Sequence, residues 1–171
     1  MIIIGFDPGI NKTGFGVIDA SSNNPQYVVS GIIEKQKLTK TNSGGDNNHK
    51  HLAHIREQVE KLLNDYKPQY CAVEQVFGGP YIQSHITLAM ARGVILSAIG
   101  SGIGGGIDNS DIGLASYSTT SVKKTIAGNG KATKEEVNIM MKRHLKLTGI
   151  ISEDASDALA VCLCLFYNLK R

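Results

Sequence analysis

Ile2-Ile3-Ile4-Gly5-Phe6-Asp7-Pro8-Gly9 sets the middle of the molecule. A nearly unbroken apolar run that stops at an acid and a Pro-Gly turn predicts a strand covered on both faces, and such a strand sits centrally in a sheet. Residues 14–18 and 27–35 predict two more strands around the turn-rich Ser21-Ser22-Asn23-Asn24-Pro25, so the first third of the chain reads as an antiparallel meander.

Further along, residues 39–48 are polar and rich in Gly and Asn and are expected to form a flexible loop. Leu52, Ile55, Val59, Leu62, Leu63 and Tyr66 then recur at helical spacing as far as Pro68. Residues 70–76 predict a fourth strand, 82–99 a long apolar helix, 100–113 a loop with six glycines, and 112–117 a short strand. Thr133 and Glu136 form a capping-box pattern ahead of Val137, Met140, Met141 and Leu145, and a last helix covers about 153–169. This order predicts an α/β fold in which helices flank a mixed five-stranded sheet. No internal repeat or low-complexity segment is visible.

A chain of 171 residues with 42% hydrophobic content suits one domain with a proper core. Met1-Ile2-Ile3-Ile4 lacks the basic start and long apolar stretch of a signal peptide. Residues 158–167 make up about half the roughly 20 needed to cross a bilayer. The expectation is a cytoplasmic protein with no membrane partner. Cys71, Cys162 and Cys164 lie in apolar runs and are expected to be buried reduced thiols. The net charge of +3 is uneven: residues 119–148 hold seven Lys and Arg against two Glu. A stretch with five excess positive charges could face a polyanion, or be an ordinary solvated helical face.

Four acids carry the chemistry. Asp7 and Glu74 each close an apolar run, and Asp154 and Asp157, three apart, share one face at the start of the last helix. Taken singly, Asp7-Pro8-Gly9 could be only a turn, and one aspartate of the pair could be only a helix cap. Glu74, inside Cys71-Ala72-Val73-Glu74-Gln75-Val76-Phe77, needs a partner, a solvated strand end or a metal. Brought together, the four would repel one another unless cations bind, which points to a hard divalent ion on oxygen ligands. Magnesium bridging carboxylates to phosphate oxygens, as two ions about 3.5 to 4 Å apart, would support phosphodiester hydrolysis without a side-chain nucleophile.

Gly5-Phe6-Asp7-Pro8-Gly9 with Thr13-Gly14-Phe15-Gly16-Val17, then Ala72-Val73-Glu74-Gln75-Val76-Phe77, Ala91-Arg92-Gly93 and Asp154-Ala155-Ser156-Asp157-Ala158-Leu159-Ala160, resembles the RuvC Holliday junction resolvases over nearly the whole chain. The resemblance implies a ribonuclease-H-like fold, a homodimer, and magnesium-dependent cleavage of four-way DNA junctions, with manganese able to substitute. It also implies two ions per site with substrate, products with 5′ phosphates and 3′ hydroxyls, and work with a branch-migration motor. Its catalytic and metal-binding acids would be Asp7, Glu74, Asp154 and Asp157. DNA-binding roles would fall to Phe77, acting on unpaired bases near the crossover, to Lys123 and Lys134, and to Thr13 and Arg92. The chain departs from the family at Gly78-Gly79-Pro80-Tyr81, which lacks a basic residue common in relatives, and in the length of segments 39–48 and 100–113.

Other patterns lead elsewhere and are set aside. Gly100-x-Gly102-x-x-Gly105 spells a dinucleotide fingerprint but follows a helix and precedes a strand, the reverse of the required order. Gly130-Lys131-Ala132 lacks the remaining P-loop residues. His49, His51 and His54 lack zinc-ligand spacing and are expected on the solvated surface. Three rival functions stand beside junction resolution. They are a ribonuclease-H-like nuclease acting on structured RNA in ribosomal RNA maturation, a junction-binding scaffold without catalysis, and an actin-like ATPase, which would need a second domain.

Overall fold

The computed structural model describes residues 1–35, 48–76, 82–101 and 112–170. Five strands, β1 (Ile2–Asp7), β2 (Lys12–Asp19), β3 (Gln26–Glu34), β4 (Tyr70–Glu74) and β5 (Gly113–Tyr117), form one sheet in the order β3-β2-β1-β4-β5. The first three run antiparallel, whereas β4 and β5 join parallel to β1. The central place of β1 and the mixed sheet are those expected of a ribonuclease-H-like domain.

Alternation along the strands divides the core in two. Ile4, Phe6, Cys71 and Val73 pack with Val17 and Ile33 under α1 (Asn48–Tyr66) and α2 (Ile82–Gly100). Ile3, Ile18 and Ala72 pack on the opposite face under three further helices: α3 (Thr119–Ala127), α4 (Lys134–Leu145) and α5 (Glu153–Leu169). Period two puts Asp7 on the same face as Ile3 and Gly5, and Glu74 on the face of Ala72. The parallel register pairs Gly5 with Ala72 and Phe6 with Val73, so one further step sets Asp7 beside Glu74 at the carboxyl ends of both strands.

The α5 helix lies unusually close to the sheet because glycines line its bed. A Cβ on Gly5 would collide with the Ala158 carbonyl and come within 2.7 Å of Cys162 Sγ, and one on Gly14 would collide with the Asp154 carbonyl. The apolar run from Ala158 to Phe166 is fully buried against this bed, which explains why so little of it is polar. All three cysteines are buried thiols outside any disulfide, and burial pushes the Cys71 thiol up to about 12.

Three local features differ from the reading of the sequence. His51 is buried, because it stands one turn ahead of Ile55, Val59 and Leu63 on the inner face of α1. The α3 helix was not anticipated: only Val122 and Ile126 are buried in it, too few for a periodic signal, and its start depends on the Ser118 side chain accepting from Ser121 N at 3.1 Å. The α2 helix is the one helix among the described residues long and apolar enough to cross a bilayer by length and composition. It buries Ala91, Ile95, Ala98 and Ile99 in the core but leaves Ile82, Ile86 and Met90 exposed.

Candidate active site

The ends of β1 and β4 and the start of α5 meet at one point. Asp7 closes β1, Glu74 closes β4, and Asp154 and Asp157 lie in the first turns of α5, which Gly14 allows to settle against β2. The Asp7 carboxyl is pushed up to about 8, first by burial and then by the charges of Glu74 and Asp157, by its hydrogen bond with Glu74 and by Asp154. All three other predicted acids therefore act on it. Asp157 is also raised, by burial first, with Lys134 opposing the shift. A cavity of about 250 Å³ opens here, lined by Asp7, Glu74, Thr119, Lys123, Lys134 and Asp157 among others. Asp154 is not part of that lining and reaches the cavity through its charge.

The surrounding contacts fix these groups. Thr119, the first residue of α3, donates from Oγ1 to Glu74 Oε1 at 2.5 Å. Arg92 on α2 donates from Nε to the Glu74 carbonyl at 3.3 Å and from Nη2 to Ser116 Oγ at 2.9 Å, so its guanidinium ties α2 to the ends of β4 and β5. Lys134 Nζ donates to Glu153 Oε1 at 2.6 Å and Asp157 Oδ2 at 3.3 Å. These bonds hold its ammonium well above the usual lysine range, Glu153 contributing most. Thr13, expected to touch DNA, is fully buried instead, and its Oγ1 donates to the Gly9 carbonyl at 2.7 Å, closing the turn that follows Asp7. Phe77 lies outside the described residues, as do most of segments 39–48 and 100–113.

The donor set decides which ion the site suits. Among the described residues no three metal-binding side chains stand close enough to enclose one ion. The side chains lining this cavity offer carboxylate oxygens and no Cys or His, a donor set for a hard cation rather than for zinc. Magnesium is commonly held by one or two carboxylates and completes its shell with waters and substrate phosphate oxygens, which a cluster of hard oxygens beside a cationic rim accommodates. The Asp7 carboxyl is lifted first by burial and then by its acidic neighbours, and a bound cation would relieve that second contribution.

Thr119 and Glu153 belong to the site but were missed in the sequence. Thr119 had no visible signal, since its partner Glu74 lies 45 residues away. Glu153 could have been found, as it directly precedes Asp154 at a helix start where acids are favoured.

Known proteins resemble the chain along nearly its whole length. The family model described as "Crossover junction endodeoxyribonuclease RuvC" matches residues 3–165. A relative of that name from Hydrogenovibrio crunogenus is 41% identical over 162 residues, spanning 95% of this chain and 85% of its own length. One from Pseudoalteromonas atlantica is 38% identical over 163 residues, with the same two shares. Among solved structures, T. thermophilus RuvC in complex with Holliday junction substrate superposes with a TM-score of 0.82 at 24% identity, over 98% of this chain and 94% of that one. A family match across nearly the whole length and relatives well above 30% identity leave one assignment: the chain belongs to the RuvC family of crossover junction endodeoxyribonucleases.

Proposed function

We propose that the chain is a divalent-metal-dependent DNA endonuclease that resolves four-way junctions by paired nicks, working as a homodimer. One observation carries this reading: Asp7, Glu74 and Asp157 line one cavity together with Lys123 and Lys134, an anionic floor for cations beside a cationic rim for a phosphodiester. Family membership supplies the substrate, since the relatives are named for crossover junctions.

Asp7 and Glu74 would hold magnesium, or manganese in its stead, with waters and substrate oxygens filling much of its shell and Asp154 and Asp157 joining the set only when an ion draws them in. One or two such ions, when bound, lower the pKa of water and neutralise phosphate charge. Thr119 holds the Glu74 carboxylate in one orientation, and Arg92 fixes the backbone that carries it. Lys123 and Lys134, which line the same cavity, would offer ammonium donors to charge gathering on the scissile phosphate. In-line attack by water would leave 5′ phosphates and 3′ hydroxyls.

The homodimer is supported by α2. The exposed Ile82, Ile86 and Met90 follow one another at intervals of four on a single apolar stripe of this helix, which is left open to water. A second copy would cover that stripe and, by two-fold symmetry, set two sites on opposed strands. A cytoplasmic location and a branch-migration motor as partner rest on the family relationship and the character of the sequence.

The test is to incubate the purified chain with a mobile four-way junction and a matched linear duplex, with magnesium and with chelator. Symmetric nicks confined to the junction and to the magnesium arm are expected, and Asp7→Asn should bind the junction without cutting it. Equal cleavage of the linear duplex, or a preference for structured RNA, overturns the reading.

A further inference from the structure

Asp7, Glu74 and Thr119 are walls shared by two cavities. The one toward α5 carries Lys123 and Lys134; the other, about 280 Å³, opens toward α2 between Pro8, Val76 and Leu88, with Gln75 and His85 as its added polar side chains. Among the described residues no cation lines this second cavity, so it is ill suited to a phosphate. Its apolar walls and neutral polar groups suit the uncharged part of a nucleotide.

His85 sharpens this. Its Nδ1 is buried without a hydrogen-bond partner, and among the described residues no hydrogen bond holds its ring. A polar nitrogen left unsatisfied in a native fold is a standing cost and calls for an explanation, commonly a ligand. The torsion that turns an imidazole about its Cβ–Cγ bond is broad, so the unpinned ring can present either nitrogen to the cavity. Imidazole nitrogens both donate and accept, and so can read the edge of a base.

Resting on the proposed junction cleavage, we propose that His85 is a specificity-determining residue, contacting the base of a nucleotide that flanks the scissile phosphate and enters the α2-side cavity. The phosphate would then lie on the lysine side of the Asp7–Glu74 wall and the base on the other. Gln75 and Thr119 offer that base its remaining polar contacts.

The experiment is a cycle between protein and substrate using the full chain. Single-turnover cleavage with magnesium is measured for the parent, His85→Ala and His85→Asn on an intact four-way junction and on junctions with one abasic nucleotide at each position flanking the nick. Thermal melting checks the fold of each variant. At one position the abasic site is expected to slow the parent about tenfold, the size of a lost base contact, and to slow His85→Ala no further than the intact junction does. His85→Asn, which keeps a polar group, should fall between them. Equal abasic penalties in parent and variants, or no penalty in the parent at any position, overturn the role of His85 while leaving junction cleavage intact. A parent that fails to cut the intact junction overturns the proposed function, and this proposal with it.

Discussion

Lys134 Nζ stands 3.3 Å from Asp157 Oδ2 and closer, at 2.6 Å, to Glu153 Oε1. The lysine is thus tethered by the acid outside the cavity and only leans on the acid within it. With a metal ion bound as proposed, Asp157 would give up that ammonium while Glu153 keeps Lys134 at the rim.

From this follows an order of effects. Lys134→Ala should slow single-turnover junction cleavage by about 10²-fold, the scale of a lost preorganised donor at developing charge. Glu153→Gln should cost far less, since an ion pair between two exposed side chains contributes little. Rates on a junction at saturating protein would show it, and equal losses in the two variants would contradict the division of labour.

Asp7 predicts a pH dependence in the metal-free protein. The unfolded chain releases this proton near the ordinary value of 3.8, while the folded chain keeps it to about 8. The folded state therefore binds more protons across that window, and stability is lost as pH rises through it. Asp19, Glu136 and Glu153 shift downward and work the opposite way near the acid end, so the comparison must be with a variant. In chelator at pH 8, Asp7→Asn should melt about 4 °C or more above the parent, a gap that closes toward pH 4. Magnesium should raise the melting point of the parent more than that of the variant.

Thr119→Val should leave the fold in place and strip Glu74 Oε1 of its hydroxyl donor. A single such hydrogen bond is worth about 0.5–1.5 kcal/mol, so cleavage should slow by up to about tenfold. A magnesium titration of the rate would show a rightward shift if the bond orients a ligand, and an unshifted curve would contradict that.

Gly5→Ala tests the close approach of α5. The added methyl would strike the Ala158 carbonyl and the Cys162 sulfur, and neither can yield without moving the helix. A loss of about 1–3 kcal/mol is expected in urea unfolding, typical of overpacking. An unchanged midpoint would mean that the helix has room to spare.

Ile86→Glu probes the α2 stripe. Ile86 is exposed and makes no part of either core cluster, so the chain should fold as before. Burying a carboxylate in a dimer face is costly, and sedimentation should find the variant monomeric at concentrations where the parent is paired. A parent that is itself monomeric would remove the argument for a dimer through this helix.

The amino-acid order alone determined the central strand, the meander, the long helices and the four acids, because each is written in local signals: apolar runs, periods of two or 3.6, caps and turn residues. It also pointed to metal chemistry, since four acids brought together would repel one another unless a cation binds. What only the tertiary structure decided were relations between distant segments. The parallel register of β1 with β4 sets Asp7 beside Glu74, and the glycine bed of β1 and β2 lets α5 bring Asp157 to the same cavity. The inward turn of Thr13 and His51, the tether of Lys134 to Glu153 and the hold of Thr119 on Glu74 are likewise non-local. No residue's neighbours in the chain encode which far segment will pack against it; that is settled when the two faces of the sheet are covered at once and the backbones come together as closely as their side chains allow.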